Sequence, residues 1–189
     1  MKRSDWWIIK IKSMDFEFFK KNIRNVPDFP QKGIQFKDVT TLFKNAEAFS
    51  LLADAVYDVY KDKKITKVVG IESRGFIMGP VLANRLGVGF VPIRKPGKLP
   101  WDVYEETYEK EYGFDSIQIH KDALSENDVV VLHDDLLATG GTMLAACRLM
   151  KYFNLKKIYV NFLIELEDLN GRKLFDESIE ISSLIKYPI

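Results

Sequence analysis

VVVLHDDLLATGGT, residues 129–142, runs an apolar strand into two adjacent carboxylates and then into a glycine pair that opens a helix. Val129, Val130, Val131 and Leu132 are apolar without alternation, the pattern of a strand covered on both faces in a parallel sheet. Asp134 and Asp135 fall where that strand is expected to end. Gly140 and Gly141 keep Cβ atoms away from an approaching ligand, and Thr139 and Thr142 add hydroxyls beside the free N–H groups of the first helical turn. A helix start of this kind attracts phosphate. A ligand with hydroxyls at one end and a phosphate at the other, such as ribose 5-phosphate, would meet acceptors at the aspartates and donors at the loop. An Asp pair after an apolar strand also occurs in phosphoacceptor domains, but those do not need an anion cradle at Thr139 to Thr142.

Working outward, the same strand-then-helix order recurs. KVVGIESRGF (67–76) gives an apolar run, a polar turn and a helix through about Leu86, and GVGFVPIR (87–94) gives a further strand. KKIYVNFLIEL (156–166) follows the helix that starts near Gly141, and SIEISSLIKY (178–187) reads as the last strand. This alternation predicts an α/β fold with a mostly parallel central sheet flanked by helices, and ligands at the carboxyl ends of its strands. Before it come a helix over Met14 to Arg24, a Pro-marked irregular segment from Val26 to Gly33, and a helix from about Ala46 to Tyr60; the segment between these helices is too irregular to be core. From Arg94 to His120 the chain is polar and aromatic, with Pro96, Gly97, Pro100 and Gly113, which predicts a long excursion containing a hairpin, a common form of lid.

Composition narrows the class. A chain of 189 residues with 47% hydrophobic residues and a net charge of +1 predicts one domain with a real core and no basic field for nucleic acid, although Met1 to Arg24 holds seven basic residues against three acidic. Cys147 is the only cysteine, so no disulfide framework can form, and its place among Leu144, Ala146 and Met150 predicts a buried small hydrophobe in a reducing compartment. His120 and His133 lie far apart with no cysteines near them, a poor basis for zinc, and His133 is expected to be a hydrogen-bonded strand-end residue. No apolar run is long enough for a membrane span, and Trp6 to Ile9 is too short for a signal peptide, so a cytoplasmic protein is expected. Gly87-Val88-Gly89 fails as a dinucleotide fingerprint because Pro92 replaces the third glycine, and Gly97-Lys98 fails as a P-loop because Leu99 follows.

Two further segments carry anion chemistry. Glu72-Ser73-Arg74-Gly75 repeats the turn before a helix and adds a hydroxyl and a guanidinium, whose fork of donors matches diphosphate oxygens. Arg94, Lys95 and Lys98 put three cations within five residues at a strand's end, where Pro96, Gly97 and Pro100 prevent helix or sheet. In the excursion Glu105, Glu106, Glu109 and Glu111 are all candidates for a general acid, and spacing does not choose among them.

The run 129–142 resembles the phosphoribosyl-diphosphate signature of the type I phosphoribosyltransferases. With ESRG (72–75), RKPGKLP (94–100), EYG (111–113) and FPQKGIQFKDVTTLF (29–43), it puts five motifs in the order found in the adenine phosphoribosyltransferases, over roughly residues 15–186. The resemblance implies the type I fold as a single domain over 1–189: an arm at 1–13, an N-terminal helix and base-binding hood at 14–43, and a core at 44–189 with a flexible lid hairpin at about 95–119. It implies transfer of the phosphoribosyl group from 5-phosphoribosyl 1-diphosphate to adenine, giving AMP and diphosphate. Asp134 and Asp135 would bind the ribose hydroxyls, Ala138, Thr139, Gly140, Gly141 and Thr142 the 5-phosphate, and Ser73, Arg74, Lys95 and Lys98 the diphosphate, with a cis peptide bond at Glu72–Ser73.

By the same resemblance Arg94 would reach the diphosphate of a partner subunit in a homodimer. Glu111 would exchange a proton with the purine's imidazole ring, its pKa raised by enclosure among Tyr108, Tyr112 and Phe114. Phe36 would stack on adenine, the Gln35 backbone would meet its amino edge, Lys37 would lie beside it where the family often has arginine, and Leu136 would close the opposite face. Mg²⁺ would arrive on the sugar diphosphate, held through substrate and water and not directly by protein. Transfer to hypoxanthine, guanine or orotate is the rival within enzymes, and the hood argues against it. A phosphoribosyl-diphosphate-binding transcriptional regulator is the rival outside them, and it calls for a DNA-binding domain or basic recognition helix, neither of which is evident beyond the short basic arm.

Overall fold

Short polar side chains shape the first of two units, Met1–Val59 and Tyr60–Ile189, into which the chain divides; the computed structural model describes residues 16–109 and 113–188. The Trp6-Trp7 arm and Glu111 lie outside the described residues. In the first unit α1 (Phe16–Lys21) leads into an antiparallel ribbon of β1 (Arg24–Pro27) and β2 (Gln35–Asp38), with Val26 opposite Phe36. The Phe29–Pro30 peptide bond is cis, and Gly33 N–H donates to Asp28 Oδ1 at 2.7 Å. Asp38 Oδ1 accepts from Thr40 N–H at 3.0 Å and starts the single turn α2 (Thr40–Phe43). Asn45 Oδ1 accepts from the N–H groups of Glu47 and Ala48 at 3.1 and 3.2 Å and caps α3 (Ala46–Tyr60), the role for which asparagine is favoured.

Two expectations fail here. Val26 to Gly33 is not wholly irregular, since its start pairs with β2, and the segment between the helices does contribute to the core, because Val39 and Leu42 are fully buried. Short strands and a one-turn helix leave no periodicity long enough to read, and burial comes instead from how they fold on one another.

The second unit is a five-stranded sheet in the order β4-β3-β7-β8-β9, parallel throughout. Its strands are β3 (Lys67–Ile71), β4 (Gly89–Ile93), β7 (Val129–Leu137), β8 (Lys157–Leu166) and β9 (Glu180–Tyr187). Helices α4 (Gly75–Leu86) and α5 (Gly141–Met150) follow β3 and β7, so the predicted strand-to-helix units are borne out. Val130, Val131 and Leu132 are fully buried at the sheet's centre, and burying a side chain such as Leu132 stabilises by roughly 1.5–3 kcal/mol. Cys147 is buried as expected, and burial pushes its thiol up to about 12.

Between β4 and β7 the chain makes an antiparallel hairpin of β5 (Val103–Glu109) and β6 (Phe114–His120). The hairpin was expected, but it is not all lid. Ile117 and Ile119, on one face of β6, and Tyr108 of β5 are buried in the same apolar cluster as Met143, Leu149 and Phe153. Period-two alternation commits one face of the hairpin to the core. Tyr104 also stacks on Tyr152, with ring centroids 4.4 Å apart and planes at 8°. Among the described residues no helix is long and apolar enough to cross a membrane.

Candidate functional site

After β3 the next strand in the sheet, β4, is laid on one side of it, whereas β7, β8 and β9 are laid on the other. The carboxyl ends of β3 and β7 therefore flank the point where the strand order reverses, and connections leaving in opposite directions open a crevice there. Both anion turns stand at this place: Glu72 to Gly75 after β3, and Ala138 to Thr142 after β7. The sequence located each turn, and the parallel pairing of β3 with β7 makes them neighbours.

The strand does not end at the carboxylates. β7 continues through Asp134 and Asp135 to Leu137 because β8 continues beside it, with Asp134 opposite Phe162 and Leu136 opposite Ile164. On an extended strand neighbours point to opposite faces, so Asp134 and Leu136 share one face, both partly accessible, while Asp135 and Leu137 are buried. The two aspartates consequently have different partners. Asp134 Oδ1 accepts from Asp135 N–H at 2.9 Å, and Asp135 Oδ2 lies 3.0 Å from Arg74 Nε, an ion pair that does not align as a hydrogen bond and leaves the oxygen able to accept.

Although Asp134 keeps some surface open, enough protein surrounds it that burial raises its pKa well above the usual carboxylate range, and the charge of Asp135 raises it further. Burial also raises Asp135, with Arg74 opposing. A ligand bringing hydroxyl donors or positive charge to this pair would relieve both.

The preceding residue, His133, lies within β7 and not at its end as expected. It is hydrogen-bonded as expected, its Nδ1 2.8 Å from Asn161 Oδ1, while its Nε2 is buried without a partner. Burial lowers the imidazole pKa to about 4, the Asn161 contact opposing it, so the ring is neutral at physiological pH. The unfolded chain takes up this proton near pH 6.5 and the folded chain does not. Stability present above about pH 6.5 is therefore lost as the pH falls toward 4, by about 3 kcal/mol at the low end. His133→Asn, which can still donate to Asn161, should flatten the dependence of unfolding free energy on pH between 6.5 and 4 by about that amount. Denaturant titrations showing the same slope in both proteins would refute it.

In the first turn the Glu72–Ser73 peptide bond is cis, as expected, and Arg74 precedes α4 with helical backbone angles. Sequence reasoning gave Glu72 no role beyond the turn. Its carboxylate accepts from Arg94 Nη2 and Nε at 3.1 and 3.3 Å and from Lys95 N–H at 3.0 Å, which holds it below the usual carboxylate range. Arg94 Nη1 also donates to the Lys98 carbonyl at 3.2 Å, so Arg94 closes the segment on which Lys98 sits. Lys95 donates to Asp115, and to Tyr108 Oη at 3.4 Å.

The second turn is built against the hairpin and against a segment the sequence did not flag. Thr142 Oγ1 donates to Tyr108 Oη at 3.1 Å, tying the start of α5 to β5. Gly140 has φ 87°, a left-handed conformation suited to glycine, and a Cβ there would come within 2.9 Å of the Gly171 carbonyl. A Cβ on Gly171 would in turn collide with the Ala138 carbonyl. Nothing in LNGR (169–172) distinguishes this glycine from that of an ordinary turn, and only the contact reveals it.

Of the remaining predicted residues, Gln35, Phe36 and Lys37 occupy β2 in the first unit. There Phe36 meets Phe29 edge to face at 5.1 Å, and Lys37 Nζ donates to Asn25 Oδ1 at 3.0 Å. Glu111 and Tyr112 lie outside the described residues. Phe114 is 76% exposed, so it encloses nothing here, although Tyr108 is buried. Beside Gly113, which has φ 78°, Phe114 starts β6 on the face away from Ile117 and Ile119. Among the described residues no group of three or more His, Cys, Asp or Glu side chains is arranged to hold a metal ion.

Residues 38–182 match the family described as phosphoribosyl transferase domain. The chain is 65% identical over 174 residues to an adenine phosphoribosyltransferase of Bacteroides fragilis, covering 91% of this chain and 98% of that one. Its fold is similar to the crystal structure of adenine phosphoribosyltransferase from Thermoanaerobacter pseudethanolicus, at 47% identity and a TM-score of 0.86 over 92% of this chain and 100% of that one. It is also similar to the adenine phosphoribosyltransferase of Giardia lamblia in complex with 9-deazaadenine, at 45% identity and a TM-score of 0.87 over 94% and 100%.

Proposed function

Because the chain belongs to the adenine phosphoribosyltransferases of the phosphoribosyl transferase domain family, we propose that it salvages purine by joining adenine to 5-phosphoribosyl 1-diphosphate, giving AMP and diphosphate. The observation that carries this reading is the pair of anion turns at the adjacent ends of β3 and β7 with a carboxylate pair between them. That order of groups matches a ribose bearing a phosphate at one end and a diphosphate at the other. The first-unit residues 14–43 and the core are read as one functional domain, since the Bacteroides fragilis relative matches 174 residues, 91% of this chain.

In this reading the Ala138 to Thr142 loop takes the 5-phosphate, Asp134 and Asp135 the ribose hydroxyls, and Ser73, Arg74, Lys95 and Lys98 the diphosphate. The bond from the anomeric carbon to the diphosphate oxygen breaks and a bond to the adenine nitrogen forms. Arg74 and Lys98 oppose the charge developing on the leaving diphosphate, while the carboxylates face the electron-poor sugar. Glu111 takes up or returns the imidazole proton, a contribution of about a hundredfold to ten-thousandfold for acid–base catalysis. Phe36, the Gln35 backbone, Lys37 and Leu136 recognise the base. In a homodimer Arg94 serves the partner's diphosphate, and to do so it must exchange the Glu72 carboxylate for the ligand.

Mg²⁺ fits the donor set as a substrate-borne ion. Two neighbouring carboxylates raised above their usual range, Asp134 partly accessible and Asp135 buried, favour an incoming cation, and this hard ion keeps oxygen ligands and waters and so travels with the diphosphate. When bound it neutralises diphosphate charge. A single, buried thiol suits a cytoplasmic setting.

The test is turnover with phosphoribosyl diphosphate, Mg²⁺ and a panel of adenine, hypoxanthine, guanine and orotate. Adenine should exceed every other base in kcat/KM by at least about ten-thousandfold, the scale on which unpaired polar edges are rejected. A preference for another base would reassign the substrate, and sugar-diphosphate binding without any turnover would replace the enzyme with a regulator.

A further inference from the structure

We propose that Arg172 is a positioning residue for the 5-phosphate loop, acting through the backbone of Gly171. The inference rests on the phosphoribosyl-transfer reading of that loop. Glu165, near the end of β8, is 6% exposed, and Arg172 grips it with two bonds, Nε to Oε1 at 2.9 Å and Nη2 to Oε2 at 2.6 Å. The same guanidinium donates from Nη1 to the Ile181 carbonyl at 2.9 Å and from Nη2 to Ser183 Oγ at 3.0 Å, and the Ser183 hydroxyl donates to Glu165. One side chain thus fastens the short helical turn Gly171–Leu174 to two strands of the sheet. Arg172's hydrogen bond holds the Glu165 carboxyl below the usual carboxylate range, against burial, so the pair is ionised at neutral pH.

Gly171 immediately precedes Arg172 in the chain, and it packs against the phosphate loop with no side chain between. A Cβ on Gly171 would collide with the Ala138 carbonyl and lie 3.0 Å from the Thr139 carbonyl carbon; in the other direction a Cβ on Gly140 would lie 2.9 Å from the Gly171 carbonyl. Turn and loop are packed so closely that not even one Cβ fits between them, which leaves the loop no room to shift on that side. The turn also borders a cavity of about 640 Å³ lined by Glu165, Arg172, Phe175, Ile179, Ile181 and Lys186. A turn released from Glu165 has that space to move into, and the loop would follow it. Arg172 touches no substrate in this account.

The sequence pattern gave no hint of this arrangement, because Glu165 lies near the end of a strand and Arg172 seven positions on, with no spacing that couples them. A geometric role makes a specific kinetic forecast. Phosphoribosyl diphosphate and AMP share the 5-phosphate, so both should weaken together, while adenine, which does not use the loop, should not.

The test measures kcat, both KM values, and calorimetric Kd values for phosphoribosyl diphosphate and AMP in wild type, Arg172→Met, Arg172→Lys, and the double variant Arg172→Met with Glu165→Gln. The double variant removes the clamp without leaving a buried carboxylate unpaired, so a folding failure of the single variant does not end the experiment. Expected are a roughly tenfold rise in KM and Kd for phosphoribosyl diphosphate and in Kd for AMP, with the KM for adenine unchanged and kcat within about twofold. Arg172→Lys, which keeps the charge but not the two-pronged grip, should fall between. Unchanged phosphate affinities in folded variants, or a loss spread evenly over kcat and both substrates, would overturn the proposal. The binding arm stands without turnover: a wild type that binds the sugar diphosphate but transfers nothing to adenine would fail the functional reading and leave this inference to be decided by Kd alone.

Discussion

Gly141→Val is expected to leave the chain folded and to abolish binding of phosphoribosyl diphosphate, raising Kd by at least about a hundredfold, or about 2.8 kcal/mol. The two loop glycines are not equivalent. A Cβ at Gly140 would meet backbone at 2.9 Å and would also sit on a left-handed residue, so replacement there strains the fold itself. A Cβ at Gly141 meets only ordinary contacts, Glu109 O at 3.8 Å and Tyr108 Cδ2 at 3.9 Å, and its backbone opens α5 without left-handed geometry. Glycine is the poorer helix former, about 1 kcal/mol below alanine against about 0.7 kcal/mol or less for valine, so the exchange costs nothing in propensity. The branched methyls would instead occupy the space beside the loop N–H groups that the 5-phosphate needs. Calorimetry with phosphoribosyl diphosphate beside a thermal melt separates the two effects. Unchanged affinity in a folded variant would remove the phosphate from this loop.

Asp134→Asn should lower activity and raise stability together. Asparagine keeps an oxygen to accept from Asp135 N–H, but it loses the charge with which a carboxylate would hold the ribose hydroxyls. Hydrogen bonds to a charged partner are worth about 1.5–3 kcal/mol, so kcat/KM should fall by roughly one to two orders of magnitude. Stability moves the other way. Burial and Asp135 raise the Asp134 pKa in the folded chain, while the unfolded chain gives up that proton near pH 3.9. As pH rises through the raised value the folded wild type loses stability relative to the unfolded chain, and the asparagine variant does not. Its advantage should be absent below about pH 3.9 and grow toward neutrality, with Tm rising by about 2–4 °C for each kcal/mol. A variant no more stable than wild type at pH 7 would mean that the ligand-free fold already compensates the second charge.

Such a trade-off, once measured, would place the aspartates with the reaction and not with the fold. Burial raises both carboxylates above their ordinary pKa range, which a hydroxylated, cation-bearing ligand would relieve.

Local chemistry is what the sequence by itself determined. Val129 to Leu132 read as a doubly covered strand, Thr139 to Thr142 and Glu72 to Gly75 as turns before helices, and Cys147 as a buried hydrophobe, because each depends on a few consecutive residues and their periodicity. Only the tertiary structure decided what depends on partners distant in the chain. β7 runs past its aspartates because β8 pairs with them, Ile117 and Ile119 carry half of the expected lid into the core, and Arg94 is bound by Glu72. The packing of Gly171 against Ala138 and Thr139 belongs to the same class. A contact between residues thirty positions apart imposes no spacing on the residues between them, so no pattern along the chain announces it. It follows from the order and direction of the strands.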